Sequence, residues 1–82
     1  MIDCVEIDIS IAPERRGEGF ATAIIELGIK RMFAKDETIK RAIARIKPQN
    51  TPSRRAFERA GFLYVYGYED HVIYELARQD VL

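Results

Sequence analysis

Residues 12–22 read APERRGEGFAT, placing two arginines beside two glycines that are spaced one residue apart. Gly17 and Gly19 carry no side chain, so the backbone there can approach a bound group closely. If Glu18 to Thr22 form the first turn of a helix, their free N–H groups and the positive end of its dipole converge on one point. Such a point binds anions, and Arg15 and Arg16 add charge that suits a pyrophosphate. A bare Gly-x-Gly also makes ordinary strand-to-helix turns, so the neighbouring elements must discriminate.

Two other phosphate motifs are excluded by the residues present. Thr22 stands where a dinucleotide fingerprint needs a third glycine or alanine, and Asp36 and Glu37 precede the next strand instead of ending it. No Gly-Lys-Ser/Thr follows the turn, so a Walker loop fails as well.

Proton chemistry has several candidates. Glu6 and Asp8 alternate with apolar residues and are either general bases or a solvated strand face. Tyr64, Tyr66, Tyr68 and Tyr74 offer hydroxyls, although tyrosines in a hairpin more often supply packing. His71 is expected to be a surface residue beside a turn, and Cys4 a small buried apolar group.

The elements that must position these groups follow from hydrophobic period. In residues 2–11, Val5, Ile7, Ile9 and Ile11 alternate with Glu6, Asp8 and Ser10, which predicts a strand. Ala21, Ile24, Ile25, Gly28, Ile29 and Met32 then fall on one side of a helix. Ile39, Ala42 or Ile43, and Ile46 fit a short buried strand, with helix as the alternative. Thr51 and Pro52 predict an N-cap and first helical residue, and Gly61 a left-handed C-terminal cap. FLYVYGY and HVIYEL, around a polar stretch, read as a hairpin. The fold class is therefore α/β in the order β-α-β-α-β-β, with a mixed sheet and two helices, in a single domain spanning 1–82.

Composition narrows the function classes. Of 82 residues, 48% are apolar and 32% charged, as in a packed globular chain. Thirteen basic and thirteen acidic side chains cancel, so no net field favours nucleic acid. The aromatics cluster in the last hairpin instead of interleaving with the arginines, which argues the same way. One cysteine permits neither an intrachain disulfide nor a cysteine cluster for zinc, and no metal is expected. With neither a signal segment nor a membrane segment in view, cytoplasm is the expected compartment.

Residues 6–25, EIDISIAPERRGEGFATAII, resemble the signature of the GNAT N-acetyltransferase superfamily, whose Arg/Gln-x-x-Gly-x-Gly/Ala pattern maps onto Arg16, Gly17, Glu18, Gly19, Phe20 and Ala21. NTPSRRAFERAGF is similar to that family's downstream helix, with Asn50, Ser53, Gly61 and Phe62 in register. The likeness is nearest to the branch of ribosomal-protein-alanine and amino-sugar acetyltransferases. It implies a partial GNAT fold, the half that binds acetyl-coenzyme A, and acetyl transfer to a primary amine by direct attack without a metal.

By the same resemblance, the turn from Arg16 to Thr22 holds the coenzyme A pyrophosphate. The backbone of Ile9, Ser10 and Ile11 pairs with the pantetheine arm, a splay between the first two strands admits the thioester, and Asn50, Ser53 and Phe57 line the far side. An exposed N–H near Ile11 can polarise the thioester carbonyl. Two departures matter. Phe57 replaces a tyrosine that commonly protonates the departing thiolate, and the family's N-terminal strands and helices, which build much of the acceptor pocket, are not in these residues. The expected partner is a second copy in a homodimer or the missing N-terminal half; the alternative function is a non-catalytic coenzyme A binding remnant or regulatory module.

Overall fold

In the computed structural model, which describes residues 4–7 and 20–81, the elements run β1 (Cys4–Ile7), α1 (Phe20–Lys35), β2 (Arg41–Ile46), α2 (Thr51–Arg59), β3 (Leu63–Tyr68) and β4 (His71–Ala77). A 3-10 turn at Arg78–Asp80 follows. This is the β-α-β-α-β-β order read from the sequence. The strands form one mixed sheet in the order β1-β2-β4-β3, with β1 and β2 parallel and the other pairs antiparallel. A parallel pair needs a long crossover, which α1 provides.

Strand register sorts the side chains into two faces. Val5 and Ile7 lie opposite Ala42 and Ala44, which pair in turn with Leu76 and Tyr74, while Ile46 pairs with Val72. Those residues of β2 and β4 are buried in one core with Ile25, Ile29 and Phe33 of α1, Ala56 and Phe57 of α2, and Phe62; Val5 and Ile7 are partly buried against it. Both helices therefore cover the same face. Glu6, Ile43, Arg45, His71, Ile73 and Glu75 alternate with these positions and form the other, open face.

Three local details differ from the sequence reading. Ile24 and Gly28 are exposed, and Phe33 enters the core instead. Phe20, Ile24 and Leu27 form a second apolar stripe on α1, so period alone could not choose between its two faces. The α2 cap is Asn50, one residue before Thr51, because its side-chain oxygen accepts the Ser53 N–H at 3.3 Å. Cys4 is half-buried.

Gly61 does end α2, with φ of 105°. Its N–H donates to the Glu58 carbonyl at 3.1 Å and that of Phe62 to the Phe57 carbonyl at 3.0 Å, the paired bonds of a Schellman cap. Past β4, Arg78 straps the sheet to the α1–β2 connection. Its Nε donates to the Ile39 carbonyl at 2.6 Å, its terminal Nη2 donates to the Asp36 carbonyl, and its guanidinium lies 4.7 Å above the Phe33 ring. Hydrogen bonds from the Thr38 hydroxyl and N–H hold the Asp36 carboxyl below the usual carboxylate range.

Candidate functional site

The two motifs that resembled one family meet in the fold. Helix α1 opens at Phe20, and in its first turn the Thr22 hydroxyl donates to the Ala56 carbonyl of α2 at 3.5 Å. Asn50, Ser53 and Phe57, distant in sequence from that turn, thus belong to the helix packed directly against it. Phe20 is exposed, while Ala21 and Thr22 are half-buried. Asp8, Ile9, Ser10, Ile11, Arg16, Gly17, Glu18 and Gly19 lie outside the described residues, as does the expected splay.

Helix α2 presents Ser53, Ala56 and Phe57 to the interior. Phe57 packs edge-to-face on Phe62, with ring centroids 5.0 Å apart, and has no proton to give. Ser53 is the chemically unusual member. Its side-chain oxygen is buried without a hydrogen-bond partner among the described residues, at 1% residue exposure, although its N–H is capped by Asn50. Burying a hydroxyl in that state costs about 1–3 kcal/mol, so its position invites a ligand that accepts from it.

A second network, not foreseen from sequence, fixes α2 on the sheet. The Tyr74 hydroxyl of β4 donates to Glu58 at 2.6 Å and accepts from Arg54 Nε at 3.2 Å; Arg54 also donates to the Pro48 carbonyl at 3.0 Å. Burial, followed by the bond to Glu58, raises the Tyr74 phenol above its ordinary value, and the contact with Tyr74 raises the Arg54 guanidinium. Tyr74 is therefore a strut that positions Ser53 and Asn50. Its sequence signal was only a buried-strand tyrosine facing a helix with Arg and Glu four positions apart.

Of the candidate bases, Glu6 lies on the open face, where its carboxylate meets Arg45 at 3.4 Å. Tyr64, Tyr66 and Tyr68 are all exposed on β3, and Tyr64 also leans edge-on against Tyr74 at 5.8 Å. His71 lies with Nδ1 2.8 Å from Asp70 Oδ1. Among the described residues, no group of three or more His, Cys, Asp or Glu side chains could hold a metal, and no helix is long and apolar enough to cross a membrane.

Residues 2–63 match the family model described as Acetyltransferase (GNAT) domain. No curated protein matches the chain. Among solved structures, the ribosomal-protein-S5-alanine acetyltransferase from Vibrio fischeri is 22% identical with a TM-score of 0.72, covering 94% of this chain and 47% of its own. Spermidine N-acetyltransferase from Vibrio cholerae, in complex with CoA and spermine, gives 19%, 0.70, 96% and 52% in the same terms. A GNAT-family acetyltransferase from Bacillus anthracis gives 27%, 0.69, 92% and 51%. The chain spans about half the length of these structures, and their similar scores single out no branch of the family.

Proposed function

The chain belongs to the GNAT acetyltransferase domain family, and from that premise we propose that it binds acetyl-coenzyme A and transfers the acetyl group to a primary amine. The observation that carries this reading is the orphaned Ser53 hydroxyl on the face of α2 that meets the first turn of α1. A buried hydroxyl without a partner, beside a helix N-terminus that favours anions, suits the thiol end and the phosphates of one extended ligand.

In this reading, the N–H groups of Phe20, Ala21 and Thr22 continue an anion site begun by Arg16, Gly17, Glu18 and Gly19. The backbone of Ile9, Ser10 and Ile11 holds the pantetheine arm, and Asn50, Ser53 and Phe57 close the far side. The amine attacks the thioester carbonyl while a backbone N–H near Ile11 stabilises the developing oxyanion. The Ser53 hydroxyl donates a hydrogen bond to the departing thiolate, the task for which Phe57 has no group. Glu6 and Asp8 are the strand carboxylates available to take the amine's proton, Glu6 from within its pair with Arg45.

Phe57 favours a second reading, a module that binds coenzyme A without turnover. In either case the acceptor side is completed by a second copy or by an N-terminal half, since relatives run to about twice this length. Calorimetry with acetyl-coenzyme A, followed by thiol release with a panel of primary amines, decides among these. Absence of binding sinks both readings; binding without thiol release selects the second.

A further inference from the structure

At the β3–β4 turn, on the open face of the sheet, Arg45, Tyr66, Tyr68, Glu69, His71 and their neighbours enclose a cavity of about 300 Å³. Resting on the acetyl-transfer reading above, we propose that this cavity receives the acceptor amine and that His71, supported by Asp70, takes its proton in place of the strand carboxylates, of which Glu6 is already paired with Arg45.

Position supports this first. The parallel strands β1 and β2 run to the same end of the sheet, and the Ile46 to Val72 pair sets His71 just past the last residue of β2. Ligands of open α/β sheets gather outside the carboxyl ends of such strands. Asn50 and Ser53 follow β2 from that same end, on the helix-covered face. The cavity lies on the opposite face, so the nucleophile's proton leaves on one side and the thiolate's hydrogen-bond donor stands on the other.

The lining fits a small organic cation. Its volume is near the lower end for ligand sites, about 300–1,000 Å³. Tyr66, Tyr68 and Ile73 provide apolar and aromatic wall, and tyrosine faces attract ammonium groups. The charged groups around it are Glu69 and Asp70 from the turn and Arg45 from β2, which is itself paired with Glu6 of β1. Negative charge is thus in excess where an ammonium would sit.

The imidazole is suitably held. His71 Nδ1 is 2.8 Å from Asp70 Oδ1, with side-chain exposure of 30% for the ring and 79% for the carboxylate. Nδ1 is engaged by Asp70, which leaves Nε2 to accept a proton, and the nearby carboxylate stabilises the imidazolium that results. In the step, an N–H bond of the substrate ammonium breaks and its proton moves to Nε2. The freed nitrogen lone pair then forms the C–N bond at the thioester carbonyl as the C–S bond breaks, and the second proton of the acylated nitrogen passes to the departing thiolate, giving the amide and the free thiol. Asp70 is a positioning residue; His71 is the catalytic one.

His71 is the only histidine in the chain, so its imidazole gives a single, assignable set of NMR signals. The test uses the full chain, H71Q and D70N, with spermidine and an alanine-terminated tripeptide as probe amines and acetyl-coenzyme A as donor. At least one amine is expected to shift the His71 imidazole signals of the wild type. H71Q is expected to lower kcat by about 100-fold, to remove the acidic limb of the kcat/KM profile and to leave acetyl-coenzyme A affinity unchanged. D70N is expected to lower kcat by a smaller factor than H71Q, with KM for the amine and acetyl-coenzyme A affinity unchanged. Imidazole signals unmoved by either amine, or H71Q with wild-type kcat and profile, overturn the proposal. Failure of the wild type to bind acetyl-coenzyme A instead overturns the transfer reading, while an amine-induced shift still supports the cavity as an amine site.

Discussion

Thr22 and Ala56, 34 positions apart, meet where the first turn of α1 crosses the middle of α2, with the hydroxyl 3.5 Å from the carbonyl. That contact turns two separate sequence motifs into one locus. It also makes α2 a lever: whatever fixes its N-terminus and its seat on β4 fixes Ser53 relative to the first turn of α1.

Asn50 is the first of those fixings. Its side-chain oxygen caps Ser53 N–H, so N50A is expected to destabilise the fold by about 1 kcal/mol and to lower Tm by about 4–8 °C. N50D keeps an acceptor and adds a charge favoured at a helix N-terminus, so its Tm should match the wild type. Because N50D loses the amide NH2, its acetyl-coenzyme A affinity should still fall several-fold in calorimetry if that group lines the ligand. Equal losses of Tm in both variants would remove the capping role.

Gly28 has no such role. It is exposed in the middle of α1, and a Cβ built there meets nothing within 4 Å. G28A should therefore raise stability by about 0.5–1 kcal/mol, through helix propensity and a less flexible unfolded chain. Urea denaturation checks this, and an unchanged midpoint would mean that the exposed Phe20, Ile24 and Leu27 face is occupied in solution.

Strand and helix order were legible because Val5 and Ile7 alternate, Pro52 and Gly61 punctuate α2, and the hairpin residues are aromatic and β-branched. The seam of α1 was not, because Ile24 and Leu27 on one side are as apolar as Ile25 and Ile29 on the other, and only the sheet decides which side is buried. For the candidate site, Ser53 and Phe57 were placed by motif spacing alone. The missing partner of the Ser53 hydroxyl, and the approach of His71 to Asp70, depend on three-dimensional packing that no spacing encodes. Tyr74 was one of four tyrosines until pairing with Ala44 turned its ring toward Glu58 and Arg54.

That turn of Tyr74 gives a pH signature. The folded phenol sits above its ordinary value of 10.0, so above that pH the unfolded chain releases a proton that the folded chain keeps. The stabilisation is whole below pH 10, declines as pH climbs and is lost beyond the raised folded value. Y74F should lack this alkaline slope and lose about 1–3 kcal/mol at neutral pH, since Glu58 and Arg54 are left without the hydroxyl. Denaturant midpoints across pH 8–11 for both proteins test it; parallel curves would assign the alkaline loss to other groups.

Ser53 separates stability from chemistry. Because its hydroxyl has no partner among the described residues, S53A removes an unsatisfied buried group and should leave Tm unchanged or slightly raised. If the hydroxyl donates to the departing thiolate, the same change should lower kcat by about 10–100-fold. A group needed only as charge develops on sulfur contributes little to ground-state binding, so acetyl-coenzyme A affinity should hold within about twofold. S53T keeps the hydroxyl but adds a methyl to a site with 1% exposure, and overpacking there should cost about 1–3 kcal/mol. S53C is the better rescue, being close in size and carrying a weak proton donor. Thiol-release kinetics with S53A and S53C decide the matter: a fall in kcat for S53A with partial recovery in S53C supports proton donation. Equal rates in all three proteins would reduce Ser53 to packing.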